Sequence, residues 1–192
     1  MASLSSSKHA WRYFLVGGVL LFFIIWSIIL YILGPAFIIN KIGERNSYLV
    51  ACLMGFLAGS SFLASSAFYV TVFFFSRAGL NPFILGFIAA IGLTAGDLLV
   101  YFLGFQTGEI ATGWLEKRVH SFGNWLKKQP PSFVVIVILV YVALTPLPND
   151  FLMISVGLAQ YRYKTIALCT FIGNVFSLII ISLLAYHGVI SI

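Results

Sequence analysis

Two carboxylates lie inside apolar runs of this chain, and they are the residues best placed to do chemistry. Asp150 closes the stretch Thr145-Pro146-Leu147-Pro148-Asn149-Asp150, which separates the apolar runs Phe133 to Leu144 and Phe151 to Ala159. Asp97 follows Gly96, well inside the apolar run that begins at Phe83. An ionisable group at hydrocarbon depth is costly, so each is a functional candidate by default. A carboxyl in such a place can exchange a proton or hold the donor of a substrate. Each also has a structural reading. Asp150 can be an acidic helix start, capped by Asn149 and favoured by the helix dipole. Asp97 can be a packing hydrogen bond between helices. Asn174 in the last apolar run invites the same two readings. Arg77 is either an interfacial anchor or a phosphate contact. Ser60, Ser61, Ser65 and Ser66 suit a turn and the satisfaction of broken backbone groups. No nucleophile elbow or serine, histidine and acid order points to hydrolysis, so no enzyme is expected.

Composition says what these residues are embedded in. Of 192 residues, 61% are hydrophobic and only 8% charged. A soluble domain carries about 25% charge, so the chain reads as an integral membrane protein. Its net charge of +6 comes from short basic clusters between apolar runs. These suit topology determinants and anionic headgroups; nucleic-acid binding wants a continuous basic face, which is absent. Cys52 and Cys169 sit in apolar runs as small packing residues. Without a Cys/His cluster, no metal and no cofactor are expected.

The spacing of apolar runs predicts the elements that hold the carboxylates. Residues 1–47 form a tail, an anchor helix over Tyr13–Ile39 that Gly34-Pro35 kinks or ends, and a polar loop from Asn40 to Ser47. Tyr48–Ser76 is apolar but interrupted at Gly59–Ser66. Phe83–Phe105 is long enough to span, with Gly92 and Gly96, then Gly104 and Gly108, spaced to let helix backbones approach. Glu109–Pro131 places Trp114, Val119, Phe122 and Trp125 at helical spacing between basic residues, as in an amphipathic surface helix. Phe133–Gln160 is broken at Thr145–Asp150, where two prolines forbid a continuous helix. Tyr161, Arg162, Tyr163 and Lys164 form an interfacial collar, and Thr165–Tyr186 is the last span.

Counting Lys and Arg selects between two topologies. If both interrupted segments cross, the charges divide five against six. If both enter and leave on the same side, they divide eight against three, as the positive-inside rule favours. The expected fold is therefore an all-α integral membrane protein with an N-terminal transmembrane helix and a cytoplasmic N-terminus. Two units follow, each a re-entrant helical hairpin plus a transmembrane helix. They occupy residues 48–105 and 132–188, with an amphipathic linker at 106–131 and a tail at 189–192. A hairpin plus one span makes one net crossing, so the second unit is inverted. Inverted repeats with broken helices recur in transporters.

The chain resembles the DedA superfamily, also called the VTT or SNARE-associated Golgi protein family, over roughly Leu57 to Gly188. The residues that carry the resemblance are Ala78-Gly79-Leu80-Asn81-Pro82, Gly92, Gly96-Asp97, Tyr101, Gly104 and Gly108. In the second half they are Thr145 to Asp150, Gly157, Gly173-Asn174 and Gly188. The resemblance implies two opposed re-entrant loops and a role in moving lipids, as a scramblase of phospholipid or a flippase of polyprenyl-phosphate carriers. A link to the proton-motive force is proposed for some members. Where members carry a proline-rich turn with an acid, this chain has Ser65-Ser66-Ala67-Phe68. Where bacterial members carry an arginine after the proline, it has Asn149-Asp150.

The expected function is translocation of anionic lipid headgroups, with possible coupling to protons and a plasma-membrane location. The substrate and proton-coupling set is Asp150, Asp97, Asn149, Pro146, Pro148, Arg77, Ser65, Ser66 and Asn174. The partners are membrane lipids, and a homo-oligomer is left open. The alternatives are an ion or small-solute transporter of the same architecture, a lipid enzyme, or a scaffold.

Overall fold

A computed structural model describes residues 35–61, 64–107, 121–145 and 149–188, with single positions 21, 25, 28 and 32 ahead of them. The described residues are helical or in short connections. The helices are α1 (Pro35–Ile42), α2 (Glu44–Ser60), α3 (Ser65–Arg77), α4 (Pro82–Thr107), α5 (Pro131–Leu144), α6 (Asp150–Leu158) and α7 (Tyr163–Tyr186). Residues 121–126 add a short helical stretch ahead of α5. Most of the N-terminal span expected at Tyr13–Ile39 and residues 108–120 of the amphipathic linker lie outside the described residues.

Local chemistry accounts for the boundaries. Asn81 caps α4: its side-chain oxygen accepts from the backbone N–H groups of Phe83 at 3.0 Å and Ile84 at 3.3 Å. Pro82 occupies the first helical position, where its missing donor is harmless. Pro131 does the same for α5. One expectation is corrected here. The loop placed at Asn40–Ser47 is helical on both sides of a single break at Gly43, whose φ of +84° suits a residue without Cβ. Asn40 and Lys41 are polar because they face outward, not because the chain turns.

Beyond α1, the described residues form two helical hairpins and two long helices. The first hairpin is α2 and α3. The Ser65 hydroxyl donates to the Ala58 carbonyl at 3.3 Å across its tip. At its base, the Tyr48 hydroxyl oxygen accepts from the Asn81 backbone N–H at 3.1 Å. The second hairpin is α5 and α6. Its base is shut by the Tyr161 hydroxyl, which reaches the carbonyls of Leu126 at 2.7 Å and Gln129 at 3.0 Å. Burial raises the pKa of that hydroxyl above its ordinary value, which keeps it a donor. The tyrosine clasps join residues far apart in sequence.

The long helices α4 and α7 run antiparallel. Gly86 meets Ile179, Thr94 meets Asn174, and Phe102 meets Tyr163 along their length. Each hairpin then divides its arms between them. α2 packs on α4 and α3 on α7, while α5 packs on α7 and α6 on α4. The α2–α4 seam is the closest. Gly92 and Gly96 face the backbone carbonyls of Cys52 and Phe56, while Gly55 and Gly59 face Ala89 and Leu93 from the other side. The expectation for Gly92 and Gly96 holds, and the matching pair on α2 completes it. Gly104 likewise meets Ile154 on α6; Gly108 lies outside the described residues.

The apolar interior falls into two clusters. One joins α2, α3 and the first part of α4, including Met54, Phe68, Phe75 and Leu93. The other joins Val100 and Tyr101 with α5, α6 and the start of α7. Apolar side chains also face outward in helical stripes, such as Ile136, Val140 and Leu144 on α5 and Leu168, Ile172 and Phe176 on α7.

Candidate functional site

The polar layer between the two apolar clusters centres on Asp97. Leu93, one turn earlier on α4, belongs to the first cluster, and Val100 belongs to the second. Asp97 is 1% exposed. Its Oδ2 accepts two amide hydrogen bonds, from Asn174 Nδ2 at 2.9 Å and Asn149 Nδ2 at 3.3 Å. Asn174 Nδ2 also donates to the Thr94 hydroxyl at 3.0 Å. One carboxylate oxygen therefore ties the two long helices to the tip of the second hairpin. The tip of the first hairpin reaches the same level, because a Cβ on Gly59 would stand 2.7 Å from the Asp97 backbone nitrogen.

Four further groups approach this layer. Asp150, half-buried, is the first residue of α6 and lies within electrostatic reach of Asp97. Tyr69 on α3 lies within electrostatic reach of both Asp97 and Tyr141 of α5. Asn149 Oδ1 is buried without a hydrogen-bond partner. A buried acceptor without a donor is uncommon in folded proteins and needs an explanation. Its neighbour is a carboxylate already holding two donors, so a further proton or hydroxyl brought into this layer would find an acceptor waiting.

The proposed set of site residues is partly gathered here. Asp97, Asn149 and Asn174 are in direct contact, and Asp150 adjoins them. Ser65 belongs to the first tip but uses its hydroxyl to close that tip, the structural role weighed for it. Ser66 is exposed on α3. Arg77 is not part of the centre. It ends α3 at the base of the first hairpin, beside Gly188. Pro146 and Pro148 lie outside the described residues. The capping reading of Asn149 is corrected: it makes no side-chain cap bond on α6, because the side chain is turned so that Nδ2 donates to Asp97, and Oδ1, the atom a cap would use, meets no donor.

Thr94, Tyr69 and Tyr141 were missed. Thr94 precedes Asp97 by three residues on one helix and so shares its face, a signal the sequence did contain. Nothing local marks the tyrosines, which long-range packing brings to the layer. Comparison with protein-family models, with curated proteins and with solved structures finds no match.

Proposed function

We propose that the chain is a multi-pass membrane protein that moves lipids bearing anionic headgroups between leaflets, using the Asp97 layer as the polar waypoint. The observation that carries this reading is the convergence of both hairpin tips on one buried carboxylate, midway along two antiparallel helices. Those helices, Pro82–Gln106 and Tyr163–Tyr186, are long and apolar enough to cross a bilayer. The hairpin arms have 17, 13, 14 and 9 residues. At 1.5 Å per residue they reach roughly 14 to 26 Å, short of a core of about 30 Å. The outward apolar stripes favour lipid contact over water.

In this reading the hairpins are re-entrant and the two units form an inverted repeat. The crosswise arm packing supports that symmetry, as does the clasp at each hairpin base. The resemblance to the DedA superfamily adds to it. A headgroup phosphate would meet the starts of α3 and α6 near the polar layer, where the positive end of each helix dipole favours anions. Asp97 and Asp150 would exchange a proton as the headgroup passes. The tails would remain in the bilayer.

The test is reconstitution into liposomes containing a fluorescent anionic phospholipid, with a membrane-impermeant quencher reporting the exposed leaflet. Wild type should expose inner-leaflet lipid much faster than protein-free vesicles. Asp150→Asn should slow exposure by about tenfold, the loss of one charge-dependent interaction. Equal rates with and without protein would sink the reading; uptake of a small ion without lipid movement would favour the solute transporter. Topology has a separate check, in a background with Cys52 and Cys169 replaced by alanine. Single cysteines at Ser132 and Thr165 should react with impermeant thiol reagents from the same side, and a cysteine at Asn81 from the opposite one. Labelling of Ser132 and Thr165 from opposite sides would refute the re-entrant second hairpin.

A further inference from the structure

A second polar feature lies away from the Asp97 layer, at the base of the second hairpin. A cavity of about 430 Å³ opens between the end of α4 and the turn that joins α6 to α7. Tyr101, Phe102 and Phe105 form one wall. Gln160, Arg162 and Lys164 form the other, and no carboxylate lines it among the described residues. The rings are contiguous. Tyr101 and Phe102 lie 5.3 Å apart between centroids, and Phe102 and Tyr163 lie 6.1 Å apart.

The basic wall is held in place. The Tyr101 hydroxyl donates to the Tyr161 carbonyl at 2.5 Å, and the Tyr161 hydroxyl holds Leu126 and Gln129. Gln160 adopts φ +59°, in the left-handed region. A residue other than glycine is strained there and persists only where its surroundings enforce it. The turn therefore presents Arg162 and Lys164 from a fixed backbone, which lowers the ordering cost of binding.

We propose that this cleft binds the phosphate headgroup of an anionic phospholipid at the membrane surface. The inference rests on the membrane embedding proposed above, but not on translocation. Arginine offers phosphate a planar fork of donors, and lysine adds a mobile point charge. The aromatic wall suits the glycerol backbone and the first methylenes, at the interfacial depth where such rings are favoured. Free phosphate would use only the basic wall. A phospholipid fills both.

The experiment uses the full chain purified in a neutral detergent. Thermal unfolding is followed with added phosphatidylglycerol, with phosphatidylcholine, and with inorganic phosphate at matched ionic strength. Phosphatidylglycerol should raise the midpoint in a saturable way, well beyond phosphatidylcholine, and inorganic phosphate should not. The double variant Arg162→Gln, Lys164→Gln should bind phosphatidylglycerol about tenfold more weakly or worse. Both side chains are exposed, so its unfolding midpoint without lipid should match wild type. Phe102→Ala tests the aromatic wall and should weaken phosphatidylglycerol binding while leaving the two cations in place. Equal phosphatidylglycerol binding by wild type and the double variant would overturn the site. So would a response to inorganic phosphate as large as that to the lipid. Lipid binding that the double variant loses supports the site even in a chain that moves no lipid between leaflets, so the two proposals fail separately.

Discussion

Gly92→Leu should destabilise the protein by about 3 kcal/mol or more and strip it of folded, detergent-soluble material. A Cβ at Gly92 would run into the carbonyl of Cys52, which is backbone and cannot rotate away. Gly96 stands in the same relation to Phe56, one turn on. Overpacking a well-fitted site costs roughly 1–3 kcal/mol where side chains can adjust. Here the helices themselves must separate, and Gly55 and Gly59 on the facing helix lose their close approach as well. Gly92→Ala should fall between wild type and Gly92→Leu. The measurement is a thermal unfolding series in one detergent. Midpoints that do not fall in the order glycine, alanine, leucine would show that the α2–α4 seam yields more easily than its geometry requires.

Asp97→Asn should slow lipid movement in liposomes by about tenfold or more, while leaving a folded protein. Asparagine keeps the shape of the side chain and an acceptor for Asn149 or Asn174, but removes the charge that strengthens both bonds. Asp97→Leu goes further. It leaves the buried Asn149 amide without its acceptor and Asn174 with Thr94 alone. An unmet buried donor costs about 1–3 kcal/mol, so this variant should also unfold earlier. The pair separates the two readings of the residue. If Asp97→Asn moves lipid at the wild-type rate, Asp97 is a packing hydrogen bond, and the waypoint lies elsewhere.

Much of the architecture was legible because long apolar helices and their breaks obey strong local rules. The proline and asparagine of Thr145–Asp150 and the glycine and serines of Gly59–Ser66 mark interruptions that no apolar neighbour can override. The observed breaks fall within those stretches. The starts of α4 and α7 lie within two residues of the expected positions, since Pro82 and the Tyr161–Lys164 collar leave little choice. Asp97 and Asn174 stood out because polar side chains are rare in such runs. The rest depends on partners distant in sequence. That Asn149 abandons its own helix for Asp97 requires knowing that α4 and the second tip are neighbours. Tyr48 and Tyr161 look like ordinary interfacial aromatics until Asn81, Leu126 and Gln129 are set beside them. The helicity of Asn40–Ile42 and of Glu44–Ser47 was hidden because polar residues on an exposed helix face resemble a loop.

The divided placement of the hairpin arms has a mechanical consequence. Each hairpin straddles α4 and α7, with one arm against each, and each is shut at its base by a tyrosine. Sliding one long helix past the other would strain both hairpins at once, and neither can splay from its closed end. The two hairpins and the two long helices are therefore tied together into one unit, braced at both ends and joined at the Asp97 level.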